Sequence, residues 1–165
     1  MSTQISGDTG VSQCQPNSVS QDDLQSGVVG KGPALRVHRG TDFALPNNTW
    51  TQLFPDVVDW NISGSWTNPS WTPSVAGYYQ VDASVHLGGG GIIVAGAGIY
   101  KNGSVIAISF INCPSASEII LCCSDLVYLN GISDSIQLWG YINGTAPVGK
   151  GGQLTRLSAS LVRAA

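Results

Sequence analysis

Charge is scarce in this chain. Asp, Glu, Lys and Arg make up 10% of its 165 residues, against roughly a quarter in ordinary soluble domains. The formal net charge is −3. A chain without a basic patch has no electrostatic footprint for phosphates, which argues against nucleic acid as a partner. The groups that do acid–base chemistry are scarcer still, with two histidines and Glu118 as the sole glutamate. Asp82 and His86 fall on one face of an alternating stretch, four residues apart. At the usual strand rise they are separated by about 13 Å and cannot act as a pair. The chain has no Gly-x-Ser-x-Gly elbow, no phosphate loop and no His-Glu-x-x-His. Gly149-Lys150-Gly151-Gly152 lacks the Walker spacing and is a loop. The expectation is a protein that is not an enzyme, with no catalytic residues and no cofactor.

Long apolar runs are missing too, so no segment approaches the roughly 20 residues of a helical membrane span. Met1-Ser2-Thr3-Gln4 has neither the basic nor the apolar region of a secretory signal. The four cysteines, Cys14, Cys113, Cys122 and Cys123, match no zinc spacing, because a vicinal pair on a strand points to opposite faces. They read as buried free thiols, with a bridge from Cys113 to Cys122 or Cys123 as the alternative. Asp56 and Asp59 could offer oxygens to calcium, but no loop carries a dense cluster of acids. No metal site is expected.

What the chain does have is strand periodicity. From Tyr79 to Leu87 every second residue is apolar, and Gln80, Asp82, Ser84 and His86 lie between. That is the pattern of a strand with one face on a core. Pro73 and Gly77 set a turn before it. Further strands are expected around Leu35 and Val37, over residues 49–54, 92–100, 104–111, 118–129, 134–142 and 154–163. Asn102-Gly103 and Asn130-Gly131 are hairpin turn signals between them. Residues 56–73 read as a long aromatic loop with room for one short strand inside it. Gly88 to Gly91 reads as a flexible connection. No helix of any length is signalled, and short strands punctuated by turns define an all-β sandwich or barrel. Residues 1–32 differ in kind, since they hold isolated apolar residues without a period and cannot order by themselves. One helical turn over residues 20–27 is their only local signal.

Taken as a set, Gly-Pro-Ala-Leu-Arg-Val at 32–37, Thr-Pro-Ser-Val-Ala-Gly-Tyr-Tyr-Gln-Val at 72–81, Ile-Tyr-Lys-Asn-Gly at 99–103, Asp-Leu-Val-Tyr-Leu-Asn-Gly at 125–131, Asp-Ser-Ile-Gln-Leu-Trp at 134–139 and Leu-Ser-Ala-Ser-Leu-Val at 157–162 resemble the C1q/TNF-like jelly-roll head. More narrowly, the chain resembles the C1q-like heads of bacteriophage tail-fibre and virion surface proteins. Ile-Ser-Gly-Asp-Thr-Gly-Val-Ser at 5–12 and Asp-Leu-Gln-Ser-Gly at 23–27 are similar to the segment before such heads. The resemblance implies a ten-stranded, two-sheet head over residues 33–165 that forms a homotrimer, preceded by an extended N-terminal arm over residues 1–32. The family's tight Gly-Asp turn is replaced here by Asn-Gly-Ile-Ser-Asp-Ser at 130–135.

The expected function is that of a structural virion protein located on the particle surface. Its head displays a surface to a host receptor, and its arm binds a phage capsid or tail protein. The alternative is a capsid decoration protein whose arm binds the capsid lattice, a role that a short arm favours. Aromatics with neutral polar neighbours grip sugars and protein surfaces. Trp60, Trp66 and Trp71, with Asn61 and Asn68, are therefore the candidate receptor site, and the same tryptophans could instead plug the end of the sandwich. Ile5, Val11, Val19, Leu24 and Val28 are the candidate anchoring residues.

Overall fold

The computed structural model describes residues 32–145 and 147–165. The arm's candidate anchoring residues Ile5, Val11, Val19, Leu24 and Val28, its expected helical turn and Cys14 lie outside the described residues. Every regular element among the described residues is a strand, running in order β1 (Ala34–Arg39), β2 (Phe43–Ala44), β3 (Thr51–Gln52), β4 (Val57–Ile62), β5 (Gly64–Thr67), β6 (Ser70–Pro73), β7 (Gly77–Lys101), β8 (Ser104–Leu129), β9 (Ile136–Asn143), β10 (Val148–Gly149) and β11 (Gly152–Ala164).

The long antiparallel hairpin of β7 and β8 organises the rest, because each of its strands runs through both layers of a sandwich. On one side residues 77–84 of β7 pair β11 and residues 87–88 pair β10, and on the other residues 77–88 pair residues 118–129 of β8. Residues 94–101 of β7 pair β9 and the first half of β8. The first layer is therefore β4, β1, β11, β7 and β8, and the second is β5, β6, β9, β7 and β8. The bend between layers falls at Gly89, Gly90 and Gly91, whose φ angles are 112°, 97° and 58°. Side chains avoid that region, so the expected flexible connection is a bend that needs glycine. The hairpin tip is Asn102-Gly103 with both φ positive, as a two-residue turn requires. The result is an all-β jelly-roll sandwich of the C1q/TNF-like type, in which the short β3 adds to β9 of the second layer and the short β10 and β2 add to the end of the first-layer stretch of β7.

Alternation decides the core. Tyr79, Val81, Ala83, Val85 and Leu87 from the first layer and Ala95, Ala97, Ile99, Ile136, Leu138 and Ile142 from the second are buried between the layers. Burying one such aliphatic side chain contributes about 1.5–3 kcal/mol. Two expectations are corrected. The strand expected over residues 49–54 is confined to Thr51–Gln52, because Pro55 follows closely and β9 offers that segment only two partners, Trp139 and Gly140. The aromatic loop over residues 56–73 is three strands, β4, β5 and β6. β4 escapes a period-based reading because it is an edge strand with all six residues exposed, so Val57, Val58, Trp60 and Ile62 show no buried face.

Candidate functional site

The five residues expected to form a receptor site are distributed among different surroundings. Trp71 is fully buried. It stands edge-on to Tyr79 at 5.7 Å, and its indole N–H donates to Asn61 Oδ1 at 2.9 Å. Asn61 also donates to the Gly64 carbonyl, so its amide is committed to holding β4 against β5. Trp66 is Trp71's cross-strand partner and packs half-buried against the core. Both rings face the core from the β5–β6 edge of the second layer. Trp60 is 46% exposed on the outer face of the first layer, under the Arg36 guanidinium at 5.3 Å. Asn68 is exposed at the β5–β6 turn. The structure thus separates Trp60 and Asn68 from the buried indole of Trp71, and no single aromatic patch unites the three tryptophans.

A different aromatic group occupies the outer face of the second layer. Tyr100 and Trp139 stack at 4.4 Å with 17° between planes. Trp50 lies 6.3 Å from Tyr100, 6.2 Å from Phe110 and 5.5 Å from Tyr141, and Phe110 and Tyr141 are 5.3 Å apart. The strands explain the grouping. Trp139 and Tyr141 are the outward residues of β9, alternating with buried Leu138, Gly140 and Ile142. Tyr100 and Phe110 stand on the same face of β7 and β8, where Gly96 and Gly98 are outward too. A Cβ on Gly96 would meet the Trp50 indole at 2.8 Å and Phe110 at 2.9 Å, and one on Gly98 would meet Tyr100 at 3.0 Å. Two missing side chains therefore let Trp50 lie across the central strand. The Tyr141 hydroxyl donates to Asn48 Oδ1, and Gln137 is tied to Ser70 and to the Gly103 amide. The one cue in the sequence was Trp139-Gly140-Tyr141, two aromatics one strand period apart.

The outer face of the first layer is built differently. Its centre carries Asp82, Ser84, Cys122, Ser124, Arg156 and Ser158, which line an open depression of about 360 Å³. Apolar residues flank it: Trp60 and Ile62 on the β4 edge, and Ile120, Leu126 and Tyr128 on the β8 edge, each more than two-fifths exposed. Arg36 and His38 both reach Asp59 at 3.1 Å. The sole glutamate finds a partner across the hairpin, with Glu118 Oε2 3.4 Å from His86 Nε2. Asp56 accepts from the Gly40 amide and faces Arg39, so neither of the two acids considered for calcium stands without a protein partner. Cys113, Cys122 and Cys123 are free, which settles the alternative of a bridge among them. Cys122 is exposed, contrary to the expectation of burial, because it stands with Ser124 on the outward face of β8. Cys123 points inward, and burial, aided by the neighbouring Cys122, pushes its thiol up to about 11.

One end of the sandwich is closed by the loop at 130–135. Asn130 Oδ1 accepts from the amides of Ile132, Ser133 and Asp134. Asp134 in turn receives Lys101 at 2.8 Å, the Asn102 amide group and the Asn130 N–H. Burial opposes the charge on Asp134, but these donors outweigh it and hold the carboxyl below its ordinary value. The departure from the tighter family turn is thus a braced loop that presents Ile132 at 85% exposure.

The fold is similar to that of TNF-type jelly-roll proteins. Similar solved structures include murine APRIL, at a TM-score of 0.60 and 13% identity over 80% of this chain and 100% of that one. Another is Eiger TNF from S. frugiperda, at a TM-score of 0.58 and 8% identity over 81% of this chain and 95% of that one. At such identities the likeness is one of fold. No family model and no curated protein matches the sequence.

Proposed function

We propose that the chain is a homotrimeric, non-enzymatic attachment head carried on the surface of a bacteriophage particle, where residues 1–32 fasten it and the head meets a host receptor. The observation that carries the assembly is β8. It is 26 residues long, pairs only with β7, and in its first-layer half leaves Ile120, Leu126 and Tyr128 exposed. A long apolar edge is a liability in a lone protomer, and proteins cover such edges. The first layer has a second apolar margin at β4. Joining the β8 margin of one copy to the β4 side of the next is a heterologous contact that closes into a ring, and it covers the small polar centre between them. The placement on a phage particle is supported by the sequence motifs quoted above, above all those at 5–12 and 23–27. A capsid decoration role uses the same trimer and differs only in what the arm binds.

Light scattering of the full chain is expected to return three times the protomer mass of 17.2 kDa, and Leu126→Glu to return one. A monomeric parent would sink the proposal. Immunogold labelling of intact particles separates the two placements: label at the tail supports attachment, label over the capsid supports decoration, and no label on particles refutes both.

A further inference from the structure

We infer that the outer face of the second layer is a carbohydrate platform for neutral hexose chains. The inference rests on the attachment reading, which it deepens by naming the chemistry met and the face that meets it. The face has two properties together. Its centre is the continuous run of rings Trp139, Tyr100, Trp50, Phe110 and Tyr141, with neighbouring centroids 4.4 to 6.3 Å apart. Its ladder positions carry no ionised group. Ser70 pairs Gln137, Gln52 pairs Trp139, and Val94 pairs Asn143. Lys101, the charged residue of this half of β7, is drawn to the loop end by Asp134 and the Tyr128 carbonyl.

A hexose ring is a matching object. Its C–H face is apolar and lies flat on an aromatic ring, while its hydroxyls both donate and accept. Amide side chains have the same double capacity, and here they sit at the rim as Asn48, Gln52 and Asn143. An anionic glycan would find no counter-charge, and its desolvation would go uncompensated. A second copy of the chain is better served by the first layer, where both margins are apolar. The platform is also formed in advance. Trp50 is seated on Gly96 and Gly98, Tyr141 is tied to Asn48, and little side-chain freedom is left to lose on binding.

The test is titration of the full-length trimer with maltohexaose, cellohexaose and mannohexaose, and with sialyllactose and a sulfated hexasaccharide as anionic controls. Binding is followed by tryptophan fluorescence and saturation-transfer NMR. At least one neutral probe is expected to bind saturably and to do so equally well in high salt. Trp139→Ala and Phe110→Ala are each expected to weaken it about tenfold, the size of one lost ring contact. Trp139→Phe should restore most of the loss, and Ile132→Ala on the exposed 130–135 loop should change nothing. Failure of every neutral probe, preference for the anionic ones, or indifference to both Trp139→Ala and Phe110→Ala overturns the inference. A trimer that binds no sugar defeats this inference alone, whereas a monomer defeats the attachment reading beneath it.

Discussion

The two outer faces of this sandwich are made from the same strands and differ in what their margins and centres hold. The first layer is polar at its centre, with Asp82, Ser84, Ser124, Arg156 and Ser158, and apolar at both edges, β4 and β8. The second is aromatic at its centre and neutral polar around it. Apolar margins around small residues suit two flat surfaces that slide together, because water is excluded along lines that a second copy can match. An aromatic centre with a hydrogen-bonding rim suits an object smaller than a protein domain. One β7–β8 hairpin supplies strands to both faces, and the bend at Gly89–Gly91 is what lets a single pair of strands present two chemistries.

The largest expected effect sharpens this contrast through the thiols. If the first layer's face is covered in the trimer, Cys122 is hidden there even though it is exposed on the protomer. Peptide-mapped alkylation of the parent is expected to spare Cys122, and Leu126→Glu, which frees the face, to raise its rate about tenfold or more. Cys123 should stay slow in both, because a thiol pushed up to about 11 holds roughly one thiolate in a thousand at pH 8. Fast labelling of Cys122 in a trimeric parent would break the assignment of faces and move the contact elsewhere.

A smaller effect is expected on the other side. Gly96→Val places a branched side chain where Trp50 and Phe110 already are. The cost is about 1–3 kcal/mol, that of an overpacked site, and should be read as a lowered midpoint in urea with an unchanged slope. The trimer mass should survive. If Gly96→Val dissociates the protein, the second layer takes part in assembly and the two faces are not specialised as drawn.

Sequence reasoning reached the scaffold more readily than the surfaces. The alternation from Tyr79 to Leu87 and the Asn-Gly turn at 102–103 are local signals, and the layers followed from them. β4 gave no such signal, since an edge strand with both faces exposed has no burial period for Val57, Trp60 and Ile62 to follow. Three tryptophans crowded between 60 and 71 suggested a patch, yet Trp71 is the cross-strand partner of Trp66, so both point at the core. The platform drew its rings from positions 50, 100, 110, 139 and 141. Only the register of β3, β9, β7 and β8 brings them together, and register is a property of pairing that no single segment contains.

The smallest expected effect concerns what joins the layers. Lys101 at the end of the second-layer stretch of β7 donates to the Tyr128 carbonyl in the first-layer stretch of β8, and Asp134 receives both Lys101 and Asn102. The folded carboxyl of Asp134 sits below its ordinary value of 3.8. A carboxyl depressed in the folded state contributes stability above its unfolded value and loses it as pH falls through the folded one. The parent should therefore lose stability progressively from about pH 5 to below 3.8, with Asp42 and Asp56, also lowered by backbone N–H donors, adding in the same direction. Asp134→Asn should cost about 1–2 kcal/mol at pH 7 and flatten the acid limb of the stability curve. Its loss should shrink as pH falls through the folded value, where the parent carboxylate is also being protonated. A loss that stays constant as pH falls would mean that the shape of the loop, rather than its charge, holds the two layers together at this end.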